Sequence, residues 1–226
     1  MEAQQRADDT ARGRSEDDQR SPRDGDGKRK RGRPYKRDFG VPEDTDQTSF
    51  TDPHSRIMKQ TNGGFDHCYN AQTAVDDAHQ IIVATGLTNC AADNAQLAPM
   101  TEAVVNNLGQ LPERIVADTG YRSEAVFEAL AKLPCQVLVS IGREGRRQVK
   151  IDSKKYPHTA QMAERMTSDE GQRHYRRRKA IVEPPNGWIK SVLGFRQFSL
   201  RGLEKVKAEW NLVCLAINLR RMAAMA

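Results

Sequence analysis

No apolar run in the chain approaches the length of about 18 residues that a membrane-spanning helix needs, and the amino terminus lacks the apolar centre of a signal peptide. A cytosolic chain is the expectation, with no membrane partner. Aromatic residues make up only 6% of the 226 positions, and none precedes Tyr35. Large aliphatic side chains are almost absent from residues 1–46 as well. Such a stretch cannot bury enough apolar surface to offset its chain entropy, so residues 1–46 are expected to be a disordered, charged tail. The four cysteines, Cys68, Cys90, Cys135 and Cys214, have no paired spacing, which argues against a zinc site and a disulfide framework.

What the chain has in excess is positive charge. A formal net charge of +6 favours an anionic partner, nucleic acid before an anionic membrane. Within the tail the charge is sorted, with acids and arginines mixed up to Asp26 and a nearly pure cationic run from Lys28 to Arg37. Counterion release would place such a run on phosphate. Its centre, Arg31-Gly32-Arg33-Pro34, resembles the AT-hook, in which two arginines enter the narrow minor groove of A·T-rich DNA. A solvated basic linker and a nuclear-import-like cluster are two other readings of the same residues.

From Ser49 the composition becomes that of a folded domain. Residues 68–75 and 80–88 are rich in strand formers and flank the polar turn 76–79, which predicts an antiparallel hairpin. A helix is expected over 94–108, capped by Asp93 and stopped by Gly109. A strand at 114–117, a helix over 123–133 and a strand over 135–141 follow. That order predicts an α/β architecture, a mixed sheet with flanking helices. Residues 142–167 lose periodicity and read as a long surface loop. Residues 168–179 regain helical character with Arg173, Arg176, Arg177, Arg178 and Lys179 close together. A break is expected at Pro184 and Pro185, because proline belongs in a first helical turn. Residues 203–222 read as a core-packing amphipathic helix.

Two carboxylates stand out. Asp118 follows the apolar run Ile115-Val116-Ala117, and an acid at the carboxyl end of a strand is how an α/β sheet presents a metal ligand. The same residue can equally be a turn former or a helix cap. Glu183 lies far downstream in Ile181-Val182-Glu183-Pro184, beside the basic run. Carboxylates converging from separate elements on one sheet edge can hold divalent ions that drive phosphodiester chemistry.

Over residues 49–226 the chain resembles the DDE transposases of insertion sequences, whose catalytic domain is ribonuclease H-like. The likeness rests on five blocks in order: 50–59, 69–76, Ala117-Asp118-Thr119-Gly120-Tyr121, 178–184, and Gly194-Phe195-Arg196 with 200–206. It implies that Asp118 and Glu183 are two catalytic, metal-holding acids. It further implies that Lys190 helps hold DNA, two helical turns beyond Glu183, and that Arg176, Arg177, Arg178 and Lys179 position phosphate. The implied cofactor is Mg²⁺, with Mn²⁺ as a substitute. The implied partners are element-end and target DNA, with a homodimer left open and a cytoplasmic, nucleoid-associated location. The family's first aspartate has no counterpart, because no apolar strand ending in Asp precedes Thr51; Asp52 and Asp76 are the substitutes to test. Pro184-Pro185-Asn186-Gly187-Trp188 also departs from the family's helix. The expectation is therefore a partial ribonuclease H-like fold, truncated at its first strand, from a truncated or inactive copy. Its expected function is DNA strand cleavage and transfer, or, as the alternative, non-catalytic DNA binding.

Overall fold

Pairs of short strand-forming runs separated by polar turns fold back on themselves first. In the computed structural model, which describes residues 1–11, 14–16, 35, 37–60, 62–142 and 151–226, β1 (Arg56–Lys59) pairs antiparallel with β2 (Phe65–Cys68). The expected hairpin forms from β3 (Asn70–Val75) and β4 (Ile82–Thr88), also antiparallel. Its turn is built by Asp76, whose carboxylate accepts from the backbone N–H groups of Ala78, His79 and Ile81. Gly86 faces Gln72 across the hairpin, and a Cβ there would lie 2.7 Å from Met100 Sδ, so a side chain at this position would require the Met100 thioether to shift.

The remaining elements are α2 (Leu97–Leu108), β5 (Arg114–Ala117), a 3-10 turn at Thr119–Tyr121, α3 (Glu124–Leu130), β6 (Gln136–Val139), α4 (Pro157–Thr167), α5 (Asp169–Ser191) and α6 (Leu203–Ala223). Strands β5 and β6 pair in parallel. The result is a mixed α/β arrangement of small sheets with flanking helices. One continuous mixed sheet does not form: among the described residues there are three separate two-stranded sheets.

Two apolar centres hold the arrangement. Val137 and Val139 of β6 pack with Phe127 and Leu130 of α3, Leu97 of α2 and Met162 of α4. On the other side Ile82 of β4, Ile189 of α5 and Trp210, Cys214 and Ile217 of α6 form a second cluster. Phe195 and Phe198 stack edge-on at 5.4 Å, and both reach Trp210. Burial pushes the Cys214 thiol up to about 12, so it is an apolar filler at neutral pH.

Several expectations are corrected. Residues 2–11, expected to be disordered, form α1 (Glu2–Ala11). The helix is anchored through polar contacts that composition does not reveal. Asp9 is almost fully buried, accepts from Gly40 N at 2.9 Å and pairs with buried Arg14 at 3.1 Å, while Asp8 pairs with Arg56 at 2.7 Å. Burial alone would raise the Asp9 carboxyl, but its bonds to Gly40, Gln5 and Arg14 outweigh that and lower it.

The stretch read as a loop over 142–167 contains α4. Pro157 suits its first turn, and its amino end is capped from outside by Glu124, whose carboxylate accepts from His158 N and Thr159 N at 2.8 Å and from Thr159 Oγ1 at 2.6 Å. Helix α2 starts at Leu97 and not at Asn94, because Asp93 spends its carboxylate elsewhere and Gln96 supplies no side-chain cap.

The expected break at Pro184 is absent, and α5 runs through both prolines. Pro184 has no N–H to give the Ala180 carbonyl, an omission that ordinarily weakens or kinks a helix. Gln80 fills the gap: its Nε2 donates to Ala180 O at 2.8 Å. Gln80 reaches that position from a left-handed backbone, φ 59°, at the β3–β4 turn. Pro185 is buried against the core, and Asn186 Nδ2 donates back to Val182 O at 3.0 Å.

Candidate functional site

Asp118 stands where β5 ends. Its carboxylate caps the following 3-10 turn, accepting from Gly120 N at 2.9 Å, so the turn-forming reading and the site reading apply to one residue. Its other oxygen lies 3.8 Å from Arg178 Nη1 of α5. Asp118 is about half exposed whereas Arg178 is mostly buried, at 47% and 18% side-chain exposure. An ion pair that open to water contributes less than about 1 kcal/mol. Its consequence is chiefly positional, since the Arg178 guanidinium sits where a cation beside Asp118 would. Arg178 also lies over the Tyr175 ring at 5.3 Å, and its buried Nε has no partner among the described residues.

A second carboxylate reaches the same spot. Strand alternation puts Asn70 and Gln72 on one face of β3, and both donate to Asp93 Oδ1, at 2.6 and 2.8 Å. Asp93 Oδ2 and Asp118 Oδ1 would lie 2.9 and 3.0 Å from a Cβ placed at Gly120. Gly120 therefore has no side chain because two carboxylates flank it. Tyr121 closes the group by donating its hydroxyl to Gln72 Oε1. Burial holds the Tyr121 phenol well above its usual range, Asp93 and Asp118 push the same way and Arg178 opposes them. The hydroxyl is therefore protonated at neutral pH and acts as a donor.

The sequence reading missed this cluster. The sequence suggests Asp93 as a helix cap, and Asn70 and Gln72 as strand residues within the 69–76 block. The signal was present: two amides at period two on a strand, a pattern that aims both at one acceptor.

Beside Asp118 lies a cleft of about 620 Å³. Helix α5 borders it through His174, Arg177, Arg178, Ile181, Val182 and Asn186. Glu183 is exposed and is not among the lining residues, so the structure does not bring Asp118 and Glu183 together in this cleft. Arg176, Arg177 and Lys179 are exposed on α5, and exposed Lys190 lies in its last turn. Arg176 bonds Gln172 at 3.1 Å, and Arg177 Nη1 lies 3.9 Å from Asp77. Arg31 and Arg33, the centre of the AT-hook-like run, lie outside the described residues.

Neither substitute acid is free for a ligand role. Asp52 accepts from the Tyr69 hydroxyl at 2.8 Å and from Gly202 N at 3.1 Å, tying the 50–59 block to the start of α6. Asp76 is committed to its turn. Among the described residues no group of three or more His, Cys, Asp or Glu side chains gathers to hold an ion. Of the two acids expected to hold Mg²⁺ or Mn²⁺, Asp118 pairs with Arg178 and lines the cleft, and Glu183 is exposed outside its lining.

A carboxylate thus ends a parallel strand, with a second acid beside it and a long helix carrying exposed arginines alongside. Residues 134–223, from the loop before β6 through α6, match the model of a family described as Transposase DDE domain. This part of the chain is similar to that domain, and it holds Glu183 and Lys190. Asp118 lies ahead of the match. No curated protein and no solved structure matches the chain. Among the described residues no helix is long and apolar enough to cross a membrane.

Proposed function

We propose that the chain serves DNA transposition, through a partial ribonuclease H-like region that engages element-end and target DNA. The observation that carries this reading is the match of residues 134–223 to the Transposase DDE domain. The basic face of α5 supports it, because exposed Arg176, Arg177 and Lys179 lie two turns or more ahead of exposed Lys190 on one helix. Transposase DDE domains generally use a divalent metal. Asp118 is paired with Arg178 and Glu183 does not line the cleft, which supports weak or absent cleavage by this chain alone.

Labelled element-end DNA incubated with the purified protein and Mg²⁺ or Mn²⁺ tests this. The expected result is DNA binding with little or no strand transfer. Robust strand transfer that disappears in Asp118→Asn would overturn the inactive reading and restore a full catalytic site.

The Asp118–Arg178 pair favours a second reading, a non-catalytic DNA-binding protein that uses the basic tail and the basic helix. Replacing Arg31 and Arg33 by alanine separates the two contributions. If the tail dominates, the dependence of log K on log salt flattens by about two units.

A further inference from the structure

Among the described residues the β1–β2 hairpin is the one sheet that gives no residue to the apolar clusters. Its register fixes what each face carries. Arg56 with Cys68 and Met58 with Asp66 are cross-strand pairs on one face, and Ile57 with His67 and Lys59 with Phe65 are pairs on the other. The first face ties the hairpin to the molecule: Met58 is buried, and Arg56 pairs with Asp8 of α1 at 2.7 Å. The second face is open. Phe65 is 70% and Ile57 40% exposed, and Lys59 and His67 are exposed beside them. None of these four side chains is a carboxylate, and Lys59 has no ion-pair partner among the described residues. Burial does not account for a phenylalanine in this place.

We propose that the outer face of the β1–β2 hairpin is a stacking platform for an unpaired base of single-stranded DNA, with the Phe65 ring under the base and Lys59 at the adjoining phosphate. Cross-strand partners on one face have Cβ atoms about 4.5–5.5 Å apart, so the long stem of Lys59 carries its ammonium past the edge of a base lying on Phe65. A nucleotide offers a flat π-face next to a negative charge, and an exposed ring next to an unpaired cation is its complement. Ile57 widens the apolar floor on the same face. The face is too small for a protein partner: its four side chains compare with about 20–30 residues a side in a stable protein interface, whereas one or two bases need no more. The platform goes beyond the reading of α5, which concerns phosphates and touches no base.

The test uses the full 226-residue chain and two fluorescein-labelled strands of about 12 nucleotides, oligothymidylate and its abasic counterpart, followed by anisotropy. Cationic regions elsewhere in the chain meet the same phosphates in both, so the ratio of the two affinities isolates the base. The wild type should prefer oligothymidylate about tenfold, the scale of one stacked base. Phe65→Ala should erase that ratio and leave the abasic affinity unchanged. Phe65→Leu, apolar but without a ring face, should erase it as well, and Phe65→Trp should keep or raise it. Because Phe65 is largely exposed, these variants should unfold at the wild-type urea concentration, so a lost ratio reports the surface. Lys59→Ala should weaken both strands equally and reduce the slope of log K against log salt by about 0.7.

A wild-type ratio near one would overturn the proposal, as would a ratio that survives in Phe65→Ala. A ratio retained by Phe65→Leu would overturn it too, marking the face as a general apolar contact, and an unchanged salt slope in Lys59→Ala would remove Lys59 from it. Element-end duplex, which has no unpaired base, should bind wild type and Phe65→Ala alike. Duplex bound with a wild-type ratio near one sinks the platform and leaves the transposition reading; a Phe65-dependent ratio without duplex binding does the reverse.

Discussion

The molecule divides at the cleft into two halves that solve the same problem differently. On one side the antiparallel pair β3–β4 rests on α6, with an aromatic cluster of Phe195, Phe198 and Trp210. On the other the parallel pair β5–β6 is enclosed by α3 and α4, and Leu138 and Val139 are completely buried. Each half anchors a loop or helix end with one depressed carboxylate. Glu209 of α6 accepts from Ser199 N at 2.9 Å and Leu200 N at 2.9 Å in the first half, and Glu124 caps α4 in the second. Helix α5 touches β3, β5 and α6, and so bridges both halves. The difference teaches where cohesion resides: each half is well packed within itself, and the two are tied by α2, whose Leu97 packs in the second half and whose Met100 and Val104 pack on Ala84 of the first, beside a polar contact through Gln72, Tyr121, Asp93 and Asp118.

The largest effects come from emptying each core. Trp210→Ala should destabilise the first half by about 4 kcal/mol and Leu138→Ala the second by about 3 kcal/mol in urea unfolding. If the halves are independent, the double variant should equal the sum within about 0.5 kcal/mol. Coupling well above that would make the two halves one cooperative unit and break the comparison.

The carboxylates sharpen it. Glu209→Gln and Glu124→Gln should each cost about 2 kcal/mol at pH 7, the scale of charge-assisted hydrogen bonds. Burial raises both carboxyls, but the bonds they accept outweigh it, so both are lowered in the folded state. Lowered carboxyls stabilise fully above the unfolded value, about 4.3. Their contribution is lost as pH falls through the folded values, because the unfolded chain takes up protons first. The gap between wild type and each variant should therefore shrink in melts at pH 3 relative to pH 7. A gap that widens in acid would contradict the assignment.

Smaller still is the contribution of Gln80, which joins the first half to α5. Gln80→Ala should cost about 1 kcal/mol by leaving the Ala180 carbonyl unmatched. In a Pro184→Ala background, where an N–H is restored to the helix, that cost should largely vanish. An unchanged cost would mean Gln80 acts in its turn and not on the helix.

These residues also explain what could be read in advance. The strand 114–117 is found with the expected bounds, and the 70–88 hairpin and the last helix lie within a few residues of theirs, because period and turn residues act locally. Helix α4 and the unbroken α5 were illegible, since each depends on a distant partner, Glu124 for one and Gln80 for the other. Helix α1 depends likewise on Gly40 and Arg56. At the site, the position of Asp118 at a strand end was legible. Its pairing with Arg178, and Asp93 as its neighbour, were not. Chain order does not tell which arginine of a basic run turns inward: Arg178 does, while Arg176, Arg177 and Lys179 remain exposed.

The central claim is that the outward residues of that run meet DNA. Affinity for a DNA duplex, measured against salt for the wild type and for Arg176→Ala/Arg177→Ala/Lys179→Ala, tests it most directly. The expected result is weaker binding and a log K against log salt slope reduced by about 2 to 3 units. An unchanged affinity and slope would contradict the claim that this helix carries the DNA.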